Sequence, residues 1–242
     1  MNRRVALSLV LPCFNESGLF LESVRRITAI LDATTISYEI IFVDDCSRDN
    51  TRRLIEQTIK ADKNGKFRAI FHEVNLGRGK TVSDGIRSAN GAIVGYIDID
   101  CEVDPVYIPH MVSQIITRRA DIVIGKRYYR STPKAVVREI LSRGYQWLSD
   151  RLIGTGGLDT ETGYKFFSRK KILPILTKAT HPGWFWDTEV MVYARRAKLT
   201  IIEVPVLFLR RFDKTSSVNI IKDTLDYMVE LIRFRKKLTS HV

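Results

Sequence analysis

Three carboxylates stand at alternate positions directly after an apolar run, in the segment Tyr96–Glu102 (YIDIDCE). If the backbone is extended there, Asp98, Asp100 and Glu102 share one face. Like charges held together repel one another unless a cation lies among them, and carboxylate oxygens suit Mg²⁺ or Mn²⁺. The segment therefore predicts a divalent metal site that could neutralise a departing diphosphate. A solvated acidic loop is the alternative interpretation.

Alternating strand and helix patterns in the first half of the chain would position this segment. Apolar runs predict strands at Val5–Leu11, Tyr38–Val43, Phe67–Phe71, Ala92–Ile97 and Ile122–Ile124, with helical periodicity between them. This order is typical of an α/β fold with a Rossmann-like, mainly parallel sheet and flanking helices. Ligands bind such sheets at the carboxyl ends of strands. Polar residues follow the predicted strands there: Asn15-Glu16, Asp44-Asp45, Asn75 and Asp98–Asp100.

The second half of the chain is less regular and more basic. It predicts helices at Val136–Ile153 and Trp184–Arg195, a glycine-rich turn over Gly154–Gly163, and a strand at Leu199–Leu209. A last amphipathic helix carries Ile221, Leu225, Met228, Val229 and Ile232 and closes on Arg233, Arg235, Lys236 and Lys237. Its basic end suits an anionic membrane surface, whereas ordinary core packing is the alternative. We expect one domain over residues 1–215 and this helix over 216–242.

Composition limits the classes of protein that remain. The 242 residues carry 39 basic and 27 acidic side chains, a net charge of +12, which favours an anionic partner. No run approaches the about 18 apolar residues of a membrane span. Cys13, Cys46 and Cys101 form no C-x-x-C pair, so a zinc site is not expected. The odd cysteine count without a secretory signal favours a reducing, cytoplasmic setting.

Eight short strings, in order, resemble family 2 glycosyltransferases of the GT-A fold, in particular the dolichyl- and polyprenyl-phosphate sugar synthases. Each string alone is common, but their shared order from Ser8 to about Asn219 is typical of that family. The strings are LPCFNE (11–16), VDDCSRDNT (43–51), NLGRGK (75–80), YIDIDCEVDP (96–105), GKR (125–127), DTETGYKFF (159–167), WDTEV (186–190) and IEVPV (202–206).

The resemblance implies a donor site and a metal site. It assigns the metal, Mn²⁺ or Mg²⁺, to Asp98, Asp100 and Glu102, and electrostatic catalysis to Asp100, Arg127 and Arg211. It assigns the nucleotide to Pro12, Phe14, Glu16, Val43, Asp45, Gly77, Lys80, Asp98 and Lys214. Phe14 stands where the family usually has tyrosine. In the segment 210–217 the usual lysine position holds Ser217, and Lys214 is the nearby replacement for its charge.

The resemblance also implies an acceptor. The donor would be a nucleotide sugar, either GDP-mannose or a UDP-sugar. Its sugar would be transferred with inversion to a polyprenyl or dolichyl phosphate at the cytoplasmic membrane face. A phosphate acceptor is already ionised and needs guanidinium groups rather than a base. Arg138, Ser142 and Arg143 fall at the acceptor loop, and Asp187 and Glu189 are further acceptor-side candidates, as bases or as structural partners.

Three other functions remain open at this point. A soluble or polysaccharide hydroxyl acceptor would require a general base such as Asp187 or Glu189. A nucleic-acid-binding protein would require aromatics interleaved with the basic residues. Here Trp184, Phe185 and Trp186 stand beside carboxylates, so we expect no nucleic-acid partner. A nucleotidyltransferase is suggested by Gly77-x-Gly79-Lys80, but the P-loop spacing is absent.

Overall fold

The computed structural model describes residues 5–129, 144, 147–209 and 220–239. It contains one seven-stranded sheet in the order β3-β2-β1-β4-β6-β5-β7. The strands are β1 (Leu7–Cys13), β2 (Tyr38–Asp44), β3 (Phe67–Phe71), β4 (Ile93–Ile97), β5 (Ile122–Tyr129), β6 (Tyr164–Ser168) and β7 (Ile201–Phe208). The neighbouring pairs among β1 to β4 are parallel, as are β5 and β7, whereas β6 is antiparallel to both β4 and β5. The α/β, mainly parallel architecture is therefore confirmed.

Helices cover both faces of the sheet. They are α1 (Phe20–Asp32), α2 (Thr51–Ala61), α3 (Arg78–Ser88), α4 (Ile108–Ile116, entered through the 3₁₀ turn Pro105–Tyr107), α5 (Arg169–Leu176), α6 (Trp186–Arg196) and α7 (Ile220–Thr239). Residues 147–153 are also helical. Helix α1 begins at Phe20, and its N-cap residue Leu19 makes no side-chain capping hydrogen bond.

Alternation along the central strands divides the core into two layers. Leu9 and Leu11 of β1 pack with α1, α2 and α4 on one face, whereas Val10 packs with α3, α5 and α6 on the other. Successive side chains of a strand point to opposite faces, so a strand with helices on both sides is apolar at nearly every position. Up to their last residues, the strands β1 and β2 follow this pattern except at Ser8 and Glu39, which hydrogen-bond to each other, and their carboxyl ends lie at one edge.

The C-terminal helix α7 is amphipathic, but of the predicted apolar positions whose side chains are described, Met228 packs inward whereas Val229 and Ile232 do not. Leu231, Phe234 and Leu238 are buried and pack with Phe185 and Val192 of the α6 region. The predicted apolar positions Val229 and Ile232 are 44% and 49% exposed. The predicted positions 221 and 225 have side chains outside the described ones. Burying three large apolar side chains stabilises this docking by about 1.5–3 kcal/mol each.

No helix in the described part of the chain is long and apolar enough to cross a membrane.

Candidate active site

The loops after β1 and β2 are tied together by side-chain to backbone hydrogen bonds. The Asn15 amide nitrogen donates to Ser47 Oγ (2.9 Å), and the Glu16 amide nitrogen donates to Thr51 Oγ1 (2.7 Å). Predicted nucleotide residues Pro12, Phe14 and Glu16 lie on or beside this first loop. Phe14 is 45% exposed at its end of the sheet, so its ring is open to a ligand. The pairing of the loops fixes that edge of the site before any ligand binds.

A carboxylate of the second loop strengthens this pairing. Asp49 accepts from the backbone nitrogens of Ser17 (3.0 Å) and Thr51 (2.9 Å), and from the Thr51 hydroxyl (2.6 Å). Partial burial works against ionisation, but these hydrogen bonds outweigh it and lower the pKa of Asp49 to about 2.

Two further predicted nucleotide residues lie beneath the surface. The Val43 side chain is fully buried in the core, so that side chain does not reach a ligand. Asp45 is also buried, and its carboxylate accepts from the Leu76 and Gly77 backbone nitrogens (2.8 and 2.9 Å) and contacts His72 Nδ1 at 2.8 Å. Asp45 therefore holds the loop before α3 in place.

The predicted residues Gly77 and Lys80 belong to that loop and to the start of α3. Gly77 has a φ of 87°, and a Cβ on it would lie 2.7 Å from the Pro182 carbonyl oxygen, so only glycine fits this turn. Lys80 Nζ pairs with Asp84 at 2.5 Å, one helical turn away. The loop thus packs tightly against the segment that leads into α6.

The acidic segment after β4 turns instead of continuing extended. The strand ends at Ile97, the Cys101 amide nitrogen donates to the Asp98 carbonyl oxygen, and Cys101 has a φ of 54°. The Asp100 side chain accepts from the Glu102 amide nitrogen (3.2 Å). The expectation that Asp98, Asp100 and Glu102 share one face of extended backbone is therefore wrong, because the turn rotates successive side chains away from that alternation.

This turn bears on the predicted metal site. Among the described residues, no three side chains of the His, Cys, Asp and Glu types stand close enough together to hold an ion. Mg²⁺ in nucleotide enzymes is commonly bound by one or two carboxylates plus substrate phosphates rather than by a full protein cage. The Asp98 side chain, 38% exposed at the carboxyl end of β4, fits that smaller role.

The sequence interpretation missed Arg78, which makes the strongest contact to Asp98. Its Nη2 lies 2.6 Å from Asp98 Oδ1, and its Nη1 lies 2.5 Å from Asp187 Oδ2. The guanidinium carbon is 4.6 Å from the centroid of the Trp184 ring. Burial works against the charged form, but Asp98 and Asp187 together raise the pKa of Arg78. The available signal was its place between two glycines in NLGRGK, directly after a strand.

Arg127 lies near the same edge, at the far end of β5. Its Nε and Nη2 atoms bind Asp159 Oδ2 and Oδ1 at 2.8 and 2.7 Å, and Nη2 lies 3.5 Å from Glu161 Oε2. A two-pronged pair of this kind fixes the plane of the guanidinium. Arg127, predicted to take part in electrostatic catalysis, is thus oriented by two acidic residues of DTETGYKFF.

The acceptor-side candidates divide into two groups. Asp187 is buried among Lys165, Arg78 and Tyr96, and Glu189 is buried and accepts from the backbone nitrogens of Thr180 and His181 (2.8 Å each). Both make structural contacts. The other predicted residues, Arg138, Ser142, Arg143, Arg211 and Lys214, lie outside the described residues.

Comparison with known proteins identifies this arrangement. The family model described as "Glycosyl transferase family 2" matches residues 8–175, which include the Asp98 turn and the Arg127–Asp159 pair. The chain belongs to glycosyl transferase family 2. Among curated proteins of the family, it is 27% identical over 256 residues to "Dolichyl-phosphate beta-glucosyltransferase ALG5C" of Trichomonas vaginalis, covering 97% of this chain and 73% of that protein.

Two further relatives give similar identities. The "Dolichyl-phosphate beta-glucosyltransferase" of Saccharomyces cerevisiae is 27% identical over 225 residues, covering 85% of this chain and 67% of the relative. "Glycosyltransferase AglD" of Haloferax volcanii is 26% identical over 239 residues. That match covers 97% of this chain but 38% of AglD, so the chain spans well under half of the longer protein.

Solved structures share the fold of this chain at lower identity. A glucosyl-3-phosphoglycerate synthase from Mycobacterium tuberculosis, in complex with uridine diphosphate, aligns with a TM-score of 0.70 at 22% identity, over 96% of this chain and 80% of the other. The same enzyme in complex with Mn²⁺, uridine diphosphate and glucosyl-3-phosphoglycerate aligns with a TM-score of 0.66. These likenesses confirm the GT-A architecture.

Proposed function

We propose that this chain transfers a sugar, with inversion, from a nucleotide-diphosphate sugar to a polyprenyl or dolichyl phosphate. The observation that carries the proposal is the ALG5C match, because it spans 97% of this chain and 73% of a protein named as a dolichyl-phosphate glucosyltransferase. The two relatives named as glucosyltransferases favour glucose as the sugar, and the uridine diphosphate bound to the structural neighbour makes UDP-glucose the first donor to test. GDP-mannose is the second.

The donor would lie across the carboxyl edge of β1, β2 and β4. The exposed Phe14 ring offers an apolar surface for the base, and the paired loops around Asn15 and Asp49 supply a rigid edge for it. Asp98 and Asp100 would hold the diphosphate through Mn²⁺ or Mg²⁺, which supplies positive charge to the leaving group. Glu102 stays a candidate for that ion's ligand shell.

In the transfer, an acceptor phosphate oxygen attacks the anomeric carbon opposite the diphosphate. The bond from that carbon to the diphosphate oxygen breaks, and the nucleoside diphosphate leaves with the electron pair. Arg127, held in one plane by Asp159, would stabilise the charge that grows on this leaving group. Arg211 and Lys214 are proposed to add charge from the segment after β7, and Arg138, Ser142 and Arg143 to orient the acceptor phosphate.

A phosphate acceptor is favoured over a hydroxyl acceptor by the placement of two carboxylates. A hydroxyl acceptor would need a general base, for which Asp187 and Glu189 were the candidates. Asp187 is buried and paired with Lys165 and Arg78. Glu189 is buried and accepts hydrogen bonds from two backbone nitrogens. Neither carboxylate is placed to remove a proton from a substrate.

The test is transfer of labelled sugar to dolichyl phosphate in detergent, with UDP-glucose and GDP-mannose compared in the presence of Mn²⁺. We expect a lipid-linked product that Asp98→Ala or Asp100→Ala abolishes while circular dichroism stays unchanged. Asp32→Ala is the matched control, since Asp32 ends α1 at the opposite edge of the sheet, where its carboxylate pairs with Lys66 and accepts from the Tyr38 hydroxyl. No product from either donor would refute the proposed acceptor. Full activity of Asp100→Ala in excess chelator would refute the proposed metal site.

Peripheral attachment at the cytoplasmic face of a membrane is a separate part of the proposal. On α7, Val229 and Ile232 are exposed beside the basic residues Arg233 and Lys236, a combination that suits an anionic interface. Flotation with liposomes containing anionic lipid should carry the protein upward at low salt. A protein that stays at the bottom of the gradient at low salt would contradict attachment.

A further inference from the structure

A chain of charged side chains runs from the core of the protein to the candidate donor site. It begins at Lys165 on β6, whose side chain has no exposed surface and whose Nζ lies 2.6 Å from Asp187 Oδ1. Asp187, in the first turn of α6, binds Arg78 through its other oxygen at 2.5 Å. Arg78 in turn binds Asp98 Oδ1 through Nη2 at 2.6 Å and Nε at 3.2 Å.

The charges alternate along this chain, and only its last member reaches solvent. Lys165 and Asp187 are almost completely buried, Arg78 is largely buried, and Asp98 is 38% exposed. Two positive and two negative groups leave no net charge inside the protein. This matters because an isolated buried charge is very costly. The Tyr96 hydroxyl donates to Asp187, and Lys165 also donates to the Thr162 carbonyl oxygen.

Stability alone is a poor explanation for such a chain. Buried ion pairs often contribute no more than apolar side chains of similar volume, because both ions lose their hydration. The geometry instead restricts Arg78. Two of its edges are bound by two carboxylates, and the rings of Trp184 and Tyr96 lie 4.6 and 5.4 Å from its guanidinium carbon. Arg78 cannot follow Asp98 away from the site without breaking its pair with Asp187.

These contacts fix the position of the Asp98 carboxylate. Its Oδ1 is committed to Arg78, and its Oδ2 packs beside Gly163, where a Cβ would lie 1.8 Å from that oxygen. The carboxylate is therefore held in one rotamer between a guanidinium and a glycine. A ligand reaching Asp98 meets a fixed group.

We propose that Lys165 and Asp187 are positioning residues of the donor site, which act through Arg78 to fix the Asp98 carboxylate. This inference rests on the proposed function, because it assumes that Asp98 contacts the donor or its metal. Partners of this kind, which orient a ligand-binding group from behind, typically change affinity by about 10–100-fold when they are removed.

The experiment is a double-mutant cycle on donor affinity, measured by calorimetry with nucleoside diphosphate and Mn²⁺ on the whole chain. Lys165→Met removes the buried charge at similar volume, and Arg78→Lys keeps one charge but cannot bridge two carboxylates. If Lys165 acts through Arg78, each single variant weakens binding about 10-fold and the double variant also about 10-fold, instead of the about 100-fold of independent effects. Arg68→Met is the matched control, since Arg68 pairs with the buried Glu39 far from the site.

Each outcome decides the inference. Non-additive losses, with Arg68→Met binding as the parent does, support it. Parent-like affinity of Lys165→Met, or additive losses in the double variant, overturns it. If Lys165→Met does not fold, the isosteric Asp187→Asn replaces it in the cycle. A parent chain that binds no nucleoside diphosphate and transfers no sugar would instead refute the proposed function, which separates the two failures.

Discussion

Replacing Gly163 with alanine tests the placement of Asp98 with a single methyl group. The added Cβ would lie 1.8 Å from Asp98 Oδ2 and 2.4 Å from its Cγ. A comfortable carbon–oxygen contact is about 3.5 Å, so the carboxylate must retreat by about 1.7 Å. The backbone cannot easily move instead, because the Gly163 carbonyl oxygen accepts from the Asp98 amide nitrogen and β6 continues directly from there.

A retreat of that size breaks the 2.6 Å contact between Asp98 and Arg78. Misplacing a reacting group by about 1 Å can cost about 100-fold in rate, so we expect kcat/KM for the donor to fall about 100-fold. The assay is the initial rate of sugar transfer, with urea unfolding measured in parallel. Overpacking costs about 1–3 kcal/mol of unfolding free energy.

Gly95→Ala is the matched control for this prediction. Gly95 lies on β4, the strand that leads into the acidic turn, but inside the core. A Cβ added to it would lie 2.2 Å from Phe166 Cδ1. The substitution should lower stability by a similar amount, and the folded fraction should keep its kcat/KM. The reasoning is refuted if Gly163→Ala transfers sugar as the parent does, or if both variants lose the same activity per folded molecule.

Three further changes probe the supports around the site. Arg127→Ala leaves Asp159 buried without its guanidinium, so urea unfolding should show a loss of about 3 kcal/mol in addition to lost transfer. Because the pKa of Asp49 is lowered, its carboxylate stabilises the fold above about pH 4, and this contribution is lost as the pH falls toward 2. The difference in unfolding free energy between the parent and Asp49→Asn should therefore close over that range. Phe234→Ala removes a ring packed on Phe185; the expected cost is about 3 kcal/mol, with faster proteolysis within α7, and an unchanged cleavage rate would contradict the docking.

The elements with regular apolar patterns were predictable from the sequence. The strand at Phe67–Phe71 has the predicted bounds, and the other predicted strands of the first half overlap those observed. The run Ile122–Ile124 was too short a prediction, because β5 continues to Tyr129 through polar residues paired with β7. Hydrophobicity indicates where a strand is buried, but its exposed end is set by the partner strand.

The antiparallel strand β6 and the charge chain behind Asp98 were not predictable in the same way. Tyr164–Ser168 contains a lysine, and a short sequence does not encode the direction of a strand or its neighbours. The Cys101 backbone, with φ 54°, turns a segment whose side-chain pattern suggested extension. Arg78 lies 20 residues before Asp98 and 109 before Asp187 along the chain, so only the folded sheet brings the three together.

The five residues that precede β6, 159–163, contact two parts of the candidate active site. Asp159, at the start of this stretch, orients the Arg127 guanidinium that we propose stabilises the leaving group. Gly163, at its end, leaves no room for a side chain beside the Asp98 carboxylate that we propose contacts the donor. Between them Thr160 is anchored to Thr188 of α6. A deletion or insertion of one residue here would shift both contacts together. We therefore expect this stretch to tolerate changes in length poorly, and engineered changes of donor preference should leave its spacing intact.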